Sequence, residues 1–178
     1  MPMKRRSIII IAAVFGLLIV IVAVFAVLNA GNTEEKKELE NSKSIIVKSG
    51  GMEIGTVDMD FIKSAGEKEL SAIIDTTNSQ PKEHFYTGVP MKNVLQKLGI
   101  HIDDYKMFSV KAIDGYVVAF ERNEIKDDDN VYIVYKEDGK DLGTKSSGGN
   151  GPYQIIVKKD QFGQRWCKYI VEIELVKK

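Results

Sequence analysis

Cys167 is the only cysteine of the 178-residue chain, and its thiol makes it the first candidate for a catalytic or metal-binding residue. It lies in RWCKYIVEIEL (165–175), where a thiolate would serve as a soft metal ligand or as a nucleophile. Strand alternation opposes both roles, because the side that carries Cys167 is apolar whereas the other side carries Glu172 and Glu174. A thiol on a core-facing side behaves as a small hydrophobic group with a raised pKa. We therefore expect Cys167 to be an inert core residue.

The two histidines, His84 and His101, are the next candidates, because imidazole is a common metal ligand and proton carrier. Neither has a cysteine or an acidic residue at the spacing that metal ligands normally show. The sequence therefore predicts neither a zinc nor an iron site, and no metal ligand is assigned. His101 follows a predicted helix end at Gly99, where a partly cationic imidazole interacts favourably with the helix dipole.

Other arrangements that support catalysis are lacking in the sequence. The acidic run KDDDN (126–130) does not have the spacing of an EF-hand loop, so a solvated turn explains it better. No serine lies in a nucleophile elbow, and no Ser/His/Asp set can be assembled. Catalytic residues therefore stay unassigned, and the sequence leaves open whether the protein is an enzyme.

Two turns could border a ligand. TKSSGGNG (144–151) is rich in glycine, so the backbone amides of Gly148 and Gly149 could approach an anion. A flexible surface connection is the alternative interpretation of the same loop. The dipeptide at 114–115, Asp-Gly, favours a hairpin turn, and Tyr116 after it could form an aromatic wall of a cleft. Ordinary packing explains this tyrosine equally well.

The charge composition excludes a nucleic-acid-binding role. Lys+Arg and Asp+Glu number 25 each, and no basic cluster interrupts this balance in the region after residue 30. A single cysteine also excludes an internal disulfide, so an ordinary hydrophobic core must stabilise the fold.

The first 30 residues predict a membrane segment. Residues 8–28 carry no charged side chain, and at about 1.5 Å per residue such a helix spans roughly 32 Å, the thickness of a bilayer core. Three cations at positions 4–6 precede it, which favours a cytoplasmic N-terminus. A cleaved signal peptide is the alternative, but its apolar stretch is usually shorter, and VLNAG (27–31) is a poor cleavage site. We expect residues 1–30 to be an uncleaved signal anchor that makes this a single-pass cell-membrane protein with its domain outside.

A stalk and a folded domain follow the anchor. Residues 31–44 are charged and nearly free of large apolar side chains, which predicts a solvated stalk. In residues 45–178, short alternating segments bounded by turn residues predict many strands. The clearest helix runs over 90–98, with proline in its first turn and Gly99 at its C-terminus. This pattern indicates a strand-rich α+β domain.

Five segments of this domain occur in the order found in one family. Together they resemble the molybdopterin-binding oxidoreductase domain of the sulfite oxidase type, over roughly residues 45–176. The resemblance implies a mixed α+β fold rich in strands, with a pterin cleft formed by loops between the segments. The segments are FYTGVPMKNVLQKLGI (85–100), VKAIDGYVVAF (110–120), DDNVYIVYKEDGKDL (128–142), GGNGPYQIIV (148–157) and RWCKYIVEIEL (165–175).

The resemblance also shows what this chain lacks. In active members of the family, the pterin dithiolene and one protein cysteine hold molybdenum, and that cysteine lies in a loop upstream of the TGVP segment. The matching stretch, IIDTTNSQPKEHF (73–85), has no cysteine, and its hydroxyl groups are poor substitutes for a soft thiolate. The arginine-rich segment that usually follows is missing too, so His84 is the one nearby residue suited to a phosphate. We expect the loop at 75–84 to border any cleft.

The last segment supplies two basic residues. Family members carry basic residues near the cofactor at the positions of Arg165 and Lys168, although solvated surface cations are an equal alternative. The candidate cofactor-binding residues are therefore His84, Tyr116, Gly148, Gly149, Arg165 and Lys168.

The missing thiolate favours a membrane-anchored, extracytoplasmic, noncatalytic ligand-binding or interaction module. Its expected partners are the membrane through residues 8–28, a small anionic ligand or pterin, and a redox partner protein. The alternative is a molybdenum-cofactor-dependent oxidoreductase, or a redox-enzyme subunit, with a non-standard cofactor site. No cofactor is assigned from the residues themselves, and molybdopterin enters through the resemblance alone.

Overall fold

The computed structural model describes residues 11, 13–26, 43–76, 79–160 and 163–177. The chain divides into two compact units, Met1–Glu38 and Leu39–Lys178. In the first unit, the described residues up to position 26 are helical and their large apolar side chains are exposed.

The predicted membrane span at 8–28 lies partly outside the described residues, and so does all of the predicted stalk except its last two residues. Among the described residues, no helix combines the length and the apolar character needed to cross a membrane.

One five-stranded sheet of the second unit has the strand order β2-β1-β10-β5-β6. Its strands are β1 (Ile45–Ser49), β2 (Met52–Val57), β5 (Tyr105–Ala112), β6 (Val117–Glu121) and β10 (Ile170–Lys177). β1 and β10 pair in parallel, and the other neighbours are antiparallel. Hairpin turns join β1 to β2 at Gly50-Gly51 and β5 to β6 at Asp114-Gly115, and the second of them is the turn that the sequence predicts.

The second sheet holds the strands that carry His84 and its neighbours. Its strands are β3 (Lys68–Thr76), β4 (Ser79–Pro90), β7 (Val131–Glu137), β8 (Lys140–Asp141) and β9 (Gln154–Val157). The path β3-β4-β7-β8 is antiparallel throughout, and β9 also pairs with β7. β7 is therefore a central strand, which explains why five consecutive residues, VYIVY (131–135), are buried.

Three short α-helices lie between the strands along the second unit. α1 (Met59–Lys63) begins at Asp58, whose carboxylate accepts a hydrogen bond from the amide of Phe61 at 2.8 Å. α2 (Met91–Lys97) is the predicted helix, with Gly99 in the left-handed region after it at φ +78°. α3 (Arg122–Lys126) is not predicted from the sequence, and a reciprocal capping box between Glu121 and Glu124 stabilises its start.

The two sheets and the helices share one main core. Residues of the first sheet, of α2 and of one face of β7 and β9 pack into it, and Cys167 is among them. A second, smaller cluster covers the opposite face of the second sheet, with Trp166 packed against it. Its buried members are Leu70, Ala72, Tyr86, Tyr132, Val134, Leu142 and Ile156.

The stretch at 75–84 is not the loop expected from the sequence. β3 continues to Thr76 and β4 starts at Ser79, with Ile73 opposite Glu83 and Ile74 opposite Lys82. The described residues of the stretch, 75–76 and 79–84, therefore belong to two antiparallel strands that pair with each other. Pairing between β3 and β4 stabilises this extended backbone even though its sequence is polar, because the ladder hydrogen bonds do not depend on side-chain type.

The strand predicted over 166–175 is also shorter than expected. β10 begins at Ile170, and Tyr169 before it has φ +56°, which interrupts the alternation of side chains. Lys168 takes part only in an isolated bridge with Gln154. The prediction that Cys167 lies in the core is confirmed, but the position results from the packing of an irregular segment rather than from alternation along a regular strand.

Candidate functional site

The second sheet brings an imidazole and two carboxylates together at one end. His84 Nδ1 lies 2.9 Å from Asp138 Oδ2 and 3.1 Å from Glu137 Oε1. The three groups offer one ligand atom each within 4.8 Å of one another. His84 is in β4, whereas the carboxylates are at the end of β7 and in the turn after it. The cluster thus joins residues that lie more than fifty positions apart in the sequence.

Strand pairing and a tight turn hold this cluster in place. Tyr86 pairs with Glu137 across β4 and β7, which sets the level of Glu137 relative to His84. The turn that follows has Asp138 at φ +49° and Gly139 at φ +77°, as expected for an Asp-Gly hairpin. Phe85 anchors the turn, because its amide donates to Asp138 Oδ1 at 3.0 Å and its carbonyl accepts from the Asp138 amide at 2.7 Å.

The electrostatics of the cluster keep Asp138 ionised. The backbone amide of Phe85 is the largest cause that lowers the pKa of Asp138, and His84 adds to it. The Tyr86 hydroxyl donates to Glu137 Oε1 at 3.1 Å, and burial raises the pKa of this phenol, so it remains a donor. Tyr86 in turn contacts Trp166 edge to face, with ring centroids 6.1 Å apart. Hydrogen bonds from the Phe85 amide and the Tyr86 hydroxyl therefore hold the carboxylates of Asp138 and Glu137 in position.

Arg165 is already paired with protein carboxylates. Its Nε donates to Asp160 Oδ2 at 2.8 Å, its Nη1 lies 2.7 Å from Glu124 Oε1, and its guanidinium lies over the ring of Phe120. The hydrogen bond with Asp160 is the main reason why the pKa of Arg165 is raised. Two carboxylates compensate one cation here, so this residue has little charge to offer an anionic ligand.

The glycine-rich loop is likewise satisfied internally. The amide of Gly149 donates to the Thr144 carbonyl at 2.9 Å, and the amide of Gly148 donates to the Lys145 carbonyl at 3.1 Å. A side chain at Gly149 would collide with the carbonyl of Leu142, which explains the glycine by close backbone packing. These amides do not form the anion-binding surface that the loop composition predicts.

Tyr116 and Lys168 do not join the His84 cluster. Tyr116 follows the β5–β6 turn, is half exposed, and its hydroxyl donates to the Gln164 carbonyl at 2.8 Å. Lys168 is exposed. The six candidates are therefore distributed over strand β4 and several loops instead of lining one cleft.

Two open clefts lie elsewhere on the domain. One, of about 470 Å³, is lined by the β3–β4 hairpin and by Lys158, Asp160 and Trp166. Pro81 and Glu83 of the hairpin border it, so the prediction that this stretch borders a cleft is consistent with the structure, although as strand rather than loop. The other, of about 590 Å³, lies beside α2 and includes His101. Neither cleft is lined by any of the six candidate residues.

Comparison with known proteins identifies the family of this chain. A family model described as the oxidoreductase molybdopterin binding domain matches residues 62–178. The chain belongs to this family. The predicted resemblance to the sulfite oxidase type is thereby confirmed, together with the strand-rich α+β class of the domain.

A solved structure shows the same fold. The crystal structure of the sulfane dehydrogenase SoxCD from Paracoccus pantotrophus is similar with a TM-score of 0.61 at 14% sequence identity. The match covers 78% of this chain and 39% of that chain, so this molybdopterin-binding family member spans well under half of its structural neighbour. No curated protein matches the chain.

The residues present do not fit molybdenum held by a protein thiolate. Cys167 is fully buried, and desolvation raises the pKa of its thiol to about 12, with a contribution from Asp114. Such a thiol is neutral at ordinary pH, whereas a metal ligand must be a thiolate. The stretch at 73–85, where the resemblance predicts the ligand cysteine, lies in the paired strands β3 and β4 and contains no thiol.

Sequence reasoning missed Glu137 and Asp138 as neighbours of His84. It compared residues at local ligand spacing, whereas the cluster depends on the antiparallel pairing of β4 with β7. One usable signal was present, since the Asp-Gly turn after a strongly apolar strand places two carboxylates at a strand end. The sequence does not show which other strand these two carboxylates meet, because that depends on the order of the strands in the sheet.

Proposed function

We propose that this member of the molybdopterin-binding family is a noncatalytic ligand-binding or interaction module. The observation that carries the proposal is the state of Cys167, the only thiol of the chain, which is buried in the main core and carries a strongly raised pKa. Because molybdenum in this family requires a protein thiolate, a thiol that stays protonated inside the core does not serve as its ligand.

The hairpin of β3 and β4 supports the same proposal. A loop that presents a ligand needs backbone that is free to turn toward the metal, but here the backbone is paired almost to its tip. Replacement of a single residue by cysteine would therefore not restore the family's loop geometry. Compensation of Arg165 by Asp160 and Glu124 also leaves the domain without a free guanidinium at a predicted cofactor position.

The open cleft beside the hairpin is the proposed place of a small ligand. Its lining combines the apolar surfaces of Ala72, Ile73 and Trp166 with the polar groups of Glu83 and Lys158. Lys158 is already bound to Asp129 at 2.6 Å. The charged groups that line the cleft therefore favour a neutral or weakly charged ligand over the predicted anionic ligand or pterin. The redox partner protein stays a prediction.

The second candidate function is a molybdenum-cofactor-dependent oxidoreductase, or a subunit of one. Membership of the family over residues 62–178 is the observation that favours it. It would require cofactor binding through the pterin alone or through a ligand from another chain.

We also propose that residues 8–28 anchor the protein in the cell membrane, with the domain outside. The uninterrupted apolar sequence and the preceding cations support this proposal. Exposed apolar side chains in the described helical residues, such as Phe15 and Phe25, suit contact with lipid. Alkaline extraction of membranes from the native host tests it, since an anchored protein stays in the pellet and a peripheral one is released.

Molybdenum content tests the noncatalytic proposal directly. The full chain is purified from its native host, and metals are measured by elemental analysis together with protein concentration. We expect molybdenum well below one atom per chain. About one molybdenum per chain would overturn the proposal and establish the oxidoreductase alternative. A family member with its ligand cysteine, purified in the same way, is the positive control.

A further inference from the structure

The cluster of His84, Glu137 and Asp138 has the composition and spacing of a metal site. We propose that these three residues bind a divalent transition-metal ion of the Zn²⁺ class. This inference does not depend on the noncatalytic proposal, because it concerns a different set of residues and a different metal. Within the described part of the chain, this is the one group of three such residues whose ligand atoms come this close.

The distances between the ligand atoms match a metal site after a small expansion. Ligands about 2.1 Å from a tetrahedral zinc ion lie about 3.4 Å from one another. Nδ1 of His84 lies 2.9 Å from Asp138 Oδ2 and 3.1 Å from Glu137 Oε1. The two separations from Nδ1 would therefore need to grow by only a few tenths of an ångström to admit an ion, and all three ligand atoms already lie within 4.8 Å of one another.

The hydrogen bonding of the cluster leaves a place for a cation. A ring nitrogen carries at most one hydrogen, yet two carboxylate oxygens approach Nδ1 of His84 at hydrogen-bonding distance. In the metal-free state, the single hydrogen on Nδ1 is therefore either shared between the two carboxylates or bonded to only one of them. A divalent ion would accept the nitrogen lone pair and both carboxylates together, so it satisfies the three groups better than one proton does.

Neighbouring groups orient the ligands in advance. The amide of Phe85 holds Oδ1 of Asp138 at 3.0 Å, which leaves Oδ2 directed at His84. The hydroxyl of Tyr86 holds Glu137 Oε1 at 3.1 Å. Hydrogen bonds of this kind fix the orientation of metal ligands and raise affinity because less freedom is lost on binding.

The solvent access of the cluster and the types of its ligand atoms indicate which ion it would bind. The side chain of Asp138 is 48% exposed, whereas those of His84 and Glu137 are 16% and 23% exposed, so an ion can enter from solvent on the side of the turn. One imidazole and two carboxylates suit Zn²⁺ and similar transition metals, whereas Mg²⁺ and Ca²⁺ prefer oxygen ligands only. Three protein ligands leave a fourth position for water or for a donor from a partner.

Metal titration of the full chain tests the proposal. The protein is purified in detergent, stripped with a chelator, and titrated with Zn²⁺ by calorimetry and with Co²⁺ by visible absorption, which reports coordination geometry. We expect about one Zn²⁺ per chain, and a melting temperature that rises with Zn²⁺ concentration by mass action. Mg²⁺ and Ca²⁺ at the same concentration should leave the melting temperature unchanged, and stabilisation by either to the same degree would contradict the assignment.

Single substitutions locate the site. His84→Gln and Asp138→Asn should each weaken Zn²⁺ binding at least about tenfold, since loss of even an orienting partner has an effect of this size. His101→Gln is the matched control, because it removes the only other histidine of the chain and should leave binding within about twofold. Equal binding in wild type and His84→Gln, or loss of binding in His101→Gln, would overturn the proposal. Asp138 lies in an exposed turn, so Asp138→Asn keeps the test valid if His84→Gln does not fold.

Tyr86→Phe separates a metal site from a purely structural ion pair. It removes the hydroxyl that positions Glu137 but keeps the buried ring. We expect about tenfold weaker Zn²⁺ binding with an altered Co²⁺ spectrum. Unchanged affinity and spectrum in Tyr86→Phe would mean that this hydroxyl does not orient a ligand, which contradicts the pre-oriented three-residue site.

Discussion

The thiol of Cys167 and the imidazole of His84 show opposite relations between residue type and environment. Cys167 is the more reactive type, but it lies in the main core, where burial raises its pKa to about 12. His84 has no acidic residue at metal-ligand spacing along the chain, yet two carboxylates from a distant segment reach it at one end of the second sheet. Reactivity in this domain therefore follows strand pairing and burial, and residue identity alone misleads in both places.

Gly88→Ala should have the largest effect, because it disrupts the pairing that builds the His84 cluster. A Cβ at Gly88 would lie 2.5 Å from the carbonyl oxygen of Ile133 and 2.7 Å from Val134 Cα, both backbone atoms of β7. We expect a loss of about 3 kcal/mol or more in the free energy of unfolding, measured by urea denaturation.

Gly115→Ala is the control for that substitution. Gly115 has φ +91° but open space around its missing Cβ, so only backbone strain applies. Its expected cost is about 1 kcal/mol. Equal losses in the two variants would show that the approach of β4 to β7 is looser than the structure indicates.

Cys167→Ala should have a smaller effect that is purely structural. Removal of a small buried side chain is expected to lower the free energy of unfolding by roughly 1 kcal/mol or somewhat more. The native thiol should also resist a thiol reagent at pH 8 and react once urea unfolds the chain, because it is fully buried. Rapid reaction in the native state would contradict the core position of Cys167 and weaken the noncatalytic proposal.

The same cysteine should control part of the alkaline pH dependence. Its pKa is raised on folding, so the unfolded thiol ionises first and stability falls as the pH rises above about 8.5. Between pH 8.5 and 10, wild type should lose about 1 kcal/mol per pH unit relative to Cys167→Ala. Parallel stability curves for the two proteins over this range would show that the thiol ionises normally in the folded state.

Asp138 should give the smallest effect, at the acid end. Its pKa is lowered on folding by the amide of Phe85 and by His84, so its contribution is present above the unfolded value of about 4. That contribution is lost as the pH falls through the lowered pKa. Asp138→Asn should therefore flatten the stability profile below about pH 4, measured without added metal in a chelating buffer. A profile identical to that of wild type would mean that the turn does not hold the carboxylate.

Much of the fold could be predicted from local patterns. The helix at 90–98 corresponds to α2, and the Asp-Gly dipeptides mark the turns after β5 and β7. These features depend on short-range chemistry, namely proline and glycine at helix ends and positive φ in tight turns. The order of five segments was sufficient to identify the family.

The hairpin of β3 and β4 could not be predicted in the same way. Its second strand contains two prolines, Pro81 and Pro90, and two charged residues, Lys82 and Glu83, which favour a loop. Pro81 lies near the irregularity of the β3–β4 register, where a missing amide hydrogen is tolerated. β3 supplies the ladder hydrogen bonds of this polar part, β7 pairs with β4 only from Tyr86 onward, and neither pairing is visible in the local sequence.

For the candidate site, too, the sequence indicated individual residues but not their partners in the fold. Arg165 and the loop glycines were predicted to contact an anion or cofactor, but the sequence did not reveal that Asp160, Glu124 and neighbouring carbonyls already satisfy them. His84 was selected as a phosphate contact, whereas its neighbours in the fold are carboxylates. A basic residue is available to a ligand only where the fold has not paired it, and pairing is a tertiary property.

The sequence by itself determined the family, the strand-rich class, the turns and the absence of a thiol at the family's ligand position. Each of these depends on which residues are present and on their immediate neighbours. Only the tertiary structure decided that Cys167 is unreactive through burial and that His84 meets Glu137 and Asp138. The physical reason is that pKa values and ligand geometry depend on distances of a few ångströms between side chains. Antiparallel pairing of β4 with β7 sets those distances for residues that are remote along the chain.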